Sequence, residues 1–213
     1  MKALGGRASR RPPSGIDRGR RRAVGALLAG GWSAVGVQRV AHAGHGALGP
    51  VSPARPVPGL ALTLHDGRRT TLSDLLAGRF TALQLMFTGC SATCPIQGAL
   101  FAQAQRDLKG AVVGAQFLSV SIDALGDTPA ALAAWLKQFS AAPGWLAAVP
   151  RVQDVDALVE RLGSGGEKKP QGPDPHTGQV YVIDRRGELV FRTASMPPPA
   201  QILDALRQVD ARG

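Results

Sequence analysis

The chain has 213 residues, 44% of them hydrophobic and 19% charged, with a formal net charge of +10. That length and composition supply one domain with a packed core, and no stretch reaches the ~18 consecutive apolar residues of an ordinary membrane span. The basic excess sits in the first 43 residues, where nine Lys and Arg face Asp17 alone. The remaining residues carry 16 basic and 14 acidic side chains and one Tyr, which argues against a basic stripe or a base-stacking platform for nucleic acid.

Residues 1–43 read as an export signal. An Arg-rich region ends at Arg20-Arg21-Arg22, a weakly apolar run spans Ala23 to Val37, and Ala41-His42-Ala43 forms an A-x-A cleavage site. Adjacent arginines suit twin-arginine export, whereas the missing serine and phenylalanine around them suit an ordinary secretory signal. Either route leads to a bacterial periplasm. An uncleaved leader would instead tether the protein to the inner membrane, the only membrane contact expected. Residues 44–58 contain four prolines and no periodicity, the composition of an extended tether outside the core. The folded domain is expected over 59–213.

The periodic pattern begins with LALTL, HDG and RRTTL, a small N-terminal β-hairpin. Ser73 is placed to cap a short turn through Leu76. Thr81 to Phe87 is an apolar run of strand length, as in a strand buried on both faces, and it leads directly into TGCSATCP. After Pro95 a helical pattern runs to Leu108 and Gly110 stops it. Ala115 to Ile122 is the next strand. Thr128-Pro129 caps and opens a helix to about Phe139. Leu146 to Pro150 is a short strand and Asp154 to Leu162 a helix. Residues 163–175 form a loop, Gln179 to Asp184 and ELVFRT a hairpin, and Pro199 to Val209 an amphipathic closing helix. Strands alternating with helices predict an α/β protein: a thioredoxin-like three-layer fold, its mixed and partly parallel central sheet flanked by helices. Chemistry in such sheets gathers at the carboxyl ends of the strands, where TGCSATCP falls.

The chain's two cysteines, Cys90 and Cys94, lie in that polar loop. A pair of small hydrophobes belongs inside an apolar run instead. A structural disulfide with three intervening residues closes too short a loop to stabilise much. A helix N-terminus favours thiolate, which is both nucleophile and metal ligand. Cys90 and Cys94 are therefore read as a redox-active pair and as metal ligands. Two soft sulfurs plus an imidazole suit a copper ion and can also hold zinc. Of the four histidines, His42 is in the leader, His45 is on the tether and His65 is expected to be a solvated residue of a hairpin turn. His176 immediately precedes the last hairpin and is the candidate third ligand. Asp123 and Asp127 are expected to be structural or partner-facing, since hard carboxylates suit Cu(I) poorly.

These residues resemble the Sco/SenC family of copper chaperones. FTGCSATCP is similar to its CxxxCP site through Cys90, Cys94 and Pro95. LSVSIDALGDTPAALAAWLKQF is similar to its strand, aspartate and D-T-P helix start through Ser121, Asp123, Asp127, Thr128 and Pro129. HTGQVYVIDRRGEL is similar to its histidine, apolar strand and D-x-x-G turn through His176, Tyr181, Asp184 and Gly187. Pro175 departs from the family's acidic residue, with Asp174 adjacent. The resemblance implies copper held by Cys90, Cys94 and His176. It also implies maturation of the copper centre of cytochrome c oxidase, with that enzyme's copper-containing subunit or another copper protein as partner. A thiol reductant protein would keep the pair reduced, and the pair could itself reduce a partner's disulfide. The competing reading is a thiol–disulfide oxidoreductase or peroxiredoxin-like enzyme without a metal role.

Overall fold

The structure is a computed structural model that describes residues 48–163 and 178–212. The leader, His42, His45 and His176 lie outside the described residues. Among those described, no helix is long and apolar enough to cross a membrane.

Eight strands form one sheet in the order β1-β8-β7-β4-β5-β6-β2-β3. They are β1 (Gly49–Pro56), β2 (Ala61–Leu64), β3 (Arg69–Thr71), β4 (Phe80–Met86), β5 (Ala115–Ser121), β6 (Trp145–Pro150), β7 (Val180–Ile183) and β8 (Glu188–Arg192). The helices are α1 (Leu72–Leu76), α2 (Thr93–Leu108), α3 (Pro129–Gln138), α4 (Val155–Leu162) and α5 (Pro199–Asp210). β4, β5 and β6 run parallel, Phe80 to Met86 pairing in register with Ala115 to Ser121. β7 joins β4 antiparallel on the other side. The expected mixed sheet of a thioredoxin-like fold is therefore present.

β4 is buried along its whole length, as its unbroken apolar run requires of a strand covered on both faces. Alternate residues feed two cores. Phe80, Ala82 and Met86 pack with residues of α2, α3 and α5, whereas Leu83 and Leu85 pack with Leu72, Leu76 and the α4 residues Leu158, Val159 and Leu162. α2 and α3 share a face because both crossovers step the same way across the sheet and right-handed crossovers then fall on the same side. The three-layer expectation is met by α2, α3 and α5 on one face with α1 and α4 on the other.

Three details correct the sequence reading. The Pro-rich stretch is not only a tether: Gly49–Pro56 pairs antiparallel with β8, with a register break between Pro50 and Arg55, and Val57 is buried in the core. Proline lacks an N–H and is tolerated on a sheet edge, where one side of the strand needs no donors. α1 is capped by Thr71 rather than Ser73. The Asp74 N–H donates to Thr71 Oγ1 at 3.1 Å and the Thr71 hydroxyl donates back to Asp74 Oδ2 at 2.7 Å, a reciprocal cap. His65 is half-buried rather than solvated: its N–H donates to the Ala147 carbonyl at 2.9 Å, and Nδ1 accepts from the Ala147 N–H at 3.5 Å. Thr128 caps α3 as expected, accepting from the Ala131 N–H at 3.2 Å.

Candidate metal and thiol centre

β4 ends at Met86, and the chain turns immediately. The Cys90 N–H donates to the Phe87 carbonyl at 3.2 Å, closing a turn over Thr88 and Gly89. α2 starts at Thr93, earlier than Pro95 suggested, so Thr93 and Cys94 both lie in its first turn. The N-cap residue, Ala92, makes no side-chain cap, which leaves the free N–H groups of the first turn to other acceptors. Sulfur takes one of them. The Cys94 N–H donates to Cys90 Sγ at 3.4 Å, and Thr93 Oγ1 lies 3.9 Å from the same sulfur.

The two cysteines are free thiols in different surroundings. Cys90 is half-buried, while Cys94 is 3% exposed and sits in the core with Met86 and Phe101. Partial burial works against the Cys90 thiolate, but hydrogen bonds from the Cys94 and Ala92 backbone, the Cys94 thiol and Thr93 outweigh it and bring its pKa down to about 6. Burial pushes Cys94 up to about 11. The nearby Cys90 sulfur adds to the rise, and a backbone hydrogen bond from Phe87 offsets only part of it. Near neutral pH the pair is therefore one accessible thiolate beside one protonated, enclosed thiol, the division of labour between an attacking and a resolving cysteine.

Around the pair, Asp127 gathers the strand ends. The Thr88 N–H donates to its Oδ1 and Oδ2 at 3.2 and 3.1 Å, the Thr88 hydroxyl donates to Oδ1, and the Ser121 hydroxyl donates to Oδ2 at 2.6 Å. Asp123 accepts the Gly126 N–H at 2.8 Å, and its own N–H donates to Ser121 Oγ at 3.0 Å. Both aspartates thus have structural tasks. Among the described residues, no group of three His, Cys, Asp or Glu side chains could hold a metal. Of the candidate donors, Cys90 and Cys94 lie among the described residues and His176 lies outside them.

His176 itself lies outside the described residues, but the chain just beyond it is described. Gln97, one turn after Cys94 on α2, donates from Nε2 to the Gln179 carbonyl at 3.3 Å. Gln179 in turn donates to the Thr193 carbonyl at 3.2 Å, and the Met196 N–H donates to the Gly178 carbonyl at 2.9 Å. Residues 178 and 179 thus lie beside the first turns of the cysteine-bearing helix. In the sequence Thr88 stands out only as a hydroxyl near Cys90 of the kind a peroxidase would use, and Gln97 does not stand out.

The family model described as SCO1/SenC matches residues 55–210. The chain belongs to the SCO1/SenC family. Both cysteines and His176 fall inside the matched span. Solved structures share its fold. A SCO1/SenC family lipoprotein from Bacillus anthracis is 23% identical, with 76% of this chain and 99% of that one aligned at a TM-score of 0.62. BsSco, described as a member of the Sco family of cytochrome c oxidase assembly proteins, is 19% identical over 76% and 96% of the two chains, with a TM-score of 0.63. Yeast Sco1 with copper bound is 19% identical over 72% and 87%, with a TM-score of 0.56. No curated protein sequence matches. At these identities the likeness establishes the fold, and within it this SCO1/SenC chain places its cysteines at the end of a central parallel strand.

Proposed function

We propose that this SCO1/SenC protein is an exported metallochaperone whose cargo is a copper ion, held by the thiolates of Cys90 and Cys94 and the imidazole of His176. The observation that carries the reading is the Cys90 sulfur accepting the Cys94 N–H at 3.4 Å, with its pKa lowered to about 6. It presents a soft anionic donor at neutral pH without any input from metal. The neighbouring sulfur supplies a second soft donor, and such a pair prefers copper over hard cations. The contact between Gln97 and Gln179 supports His176 as the third donor, because it anchors the chain three residues later beside α2. Membership of the family supports copper, since yeast Sco1 is known with copper bound.

Loading must displace the Cys94 proton, so copper uptake releases protons and weakens as the solution is acidified. Delivery is ligand exchange to a partner rich in thiolate or imidazole. The description of BsSco as an oxidase assembly protein supports the copper-containing subunit of cytochrome c oxidase as that partner. The leader of residues 1–43 supports export to the periplasm, and the B. anthracis relative is a lipoprotein. Metal analysis of the reduced protein tests the reading: wild type retains copper through gel filtration, and Cys90→Ser loses it. Equal copper in both would refute it.

The division between an acidic Cys90 and an enclosed, weakly acidic Cys94 also favours disulfide reduction. Cys90 thiolate attacks a partner disulfide and expels one partner thiolate. Cys94, on losing its proton, then attacks the mixed disulfide, which leaves a Cys90–Cys94 disulfide and a partner dithiol. The two electrons must be restored by a thiol reductant protein. His176→Ala separates the readings, since this exchange uses only sulfur.

A further inference from the structure

Asp127 is 7% exposed and lies just outside α3. The helix does not need it as a cap, because Thr128 performs that role. A buried carboxylate is costly unless its lone pairs are used, and here Thr88 and Ser121 use them. The Thr88 N–H reaches both oxygens, and the Thr88 hydroxyl reaches one of them. The Ser121 hydroxyl, at the end of β5, steadies the other at 2.6 Å.

The need for this acceptor follows from the sheet. The β4–β5 ladder ends at Met86 and Ser121, and the last bond across it runs from the Ile122 N–H to the Met86 carbonyl at 2.9 Å. The N–H of Thr88 emerges beyond the ladder with no strand to receive it. Asp127 receives it. Thr88 lies inside the turn closed by the Phe87 carbonyl and the Cys90 N–H, and that turn places the Cys90 sulfur against the Cys94 N–H.

We propose that Asp127 is a positioning residue for the cysteine pair, holding Thr88 so that the Phe87–Cys90 turn presents the Cys90 sulfur to the Cys94 N–H. The proposal rests on the reading of the pair as the working site. Its test uses metal-free protein, so the copper assignment can fail without affecting it.

The measurement is the equilibrium with glutathione, in which the reduced pair and glutathione disulfide give the Cys90–Cys94 disulfide and two reduced glutathiones. When the turn loosens, the reduced form loses its N–H···S contact and oxidation becomes easier. Asp127→Asn should raise the constant for disulfide formation about tenfold, a potential about 30 mV more negative. Thr88→Val should shift it the same way and Thr88→Ser should restore it. The double variant Thr88→Val/Asp127→Asn should match Asp127→Asn alone, because the hydroxyl that Thr88→Val removes acts only through the Asp127 carboxylate. A folded Asp127→Asn with a lower melting temperature and an unchanged equilibrium would overturn the proposal, as would additive shifts in the double variant. If Asp127→Asn does not fold, an unchanged equilibrium in Thr88→Val overturns it equally.

Discussion

The backbone N–H of Cys94 points at the sulfur of Cys90 across 3.4 Å, so the second cysteine of the motif stabilises the charged form of the first. The Cys94 side chain is meanwhile enclosed by Met86, Phe101 and their neighbours. One short helix start thus makes two thiols of opposite character from residues four positions apart.

Alkylation should separate them. Cys90 is expected to react with iodoacetamide along a profile with its midpoint near pH 6, while Cys94 stays unmodified in the folded protein until strongly alkaline solution. Peptide mapping after brief labelling reads both sites. Equal labelling near neutrality would contradict the geometry.

The same shift makes stability depend on pH. The Cys90 pKa is depressed by folding, so its contribution is complete above the ordinary thiol value of 9.0 and is lost as pH falls through about 6. The reduced, metal-free protein should therefore lose more stability between those values than Cys90→Ser does. Parallel melting curves for the two proteins across that window would show that the thiolate is not stabilised by the fold.

Oxidation should abolish copper binding, because a disulfide offers no thiolate. Titrating copper into the oxidised protein should give only weak, non-stoichiometric uptake. Tight binding there would move the site elsewhere, with His45 the first suspect.

His176→Ala should weaken Cu(II) strongly and Cu(I) only in part, since two thiolates can keep Cu(I) whereas Cu(II) favours nitrogen and more coordination positions. The thiolate-to-copper charge-transfer band should change while thiol cycling persists. Unchanged Cu(II) affinity and spectrum would remove His176 from the site and leave the oxidoreductase reading.

Gly98→Ala tests how α2 is held. A methyl at Gly98 would lie 2.5 Å from the Phe139 ring, and that ring packs edge-on to Trp135, with centroids 4.7 Å apart. Alanine gains about 1 kcal/mol of helix propensity over glycine, but overpacking of this kind costs about 1–3 kcal/mol. The melting temperature should fall, and Phe139→Leu in the same background should recover part of it. A more stable Gly98→Ala would mean that the ring moves aside freely.

Much of this protein was legible in short windows of sequence. The buried run that became β4, the Thr128 cap, the β7–β8 hairpin with Gly187 at φ +78°, and the cysteines at a strand end all depend on neighbours within a few residues. Local periodicity and capping report such features directly. The resemblance to the family reached further because it compares order and spacing along most of the chain.

Other features depended on what packs against what. Three prolines marked Gly49–Pro56 as a tether, and only the free edge of β8 made it a strand. The Asp127 carboxylate meets Thr88 from 39 positions away, and Gln97 meets the Gln179 carbonyl from 82. The cysteines look equivalent in the motif, yet enclosure of one and N–H donation to the other divide their acidities. Desolvation and long-range hydrogen bonds are properties of surroundings assembled from distant segments, so the chain's order determined where the thiols stand and the folded packing decided which of them is charged.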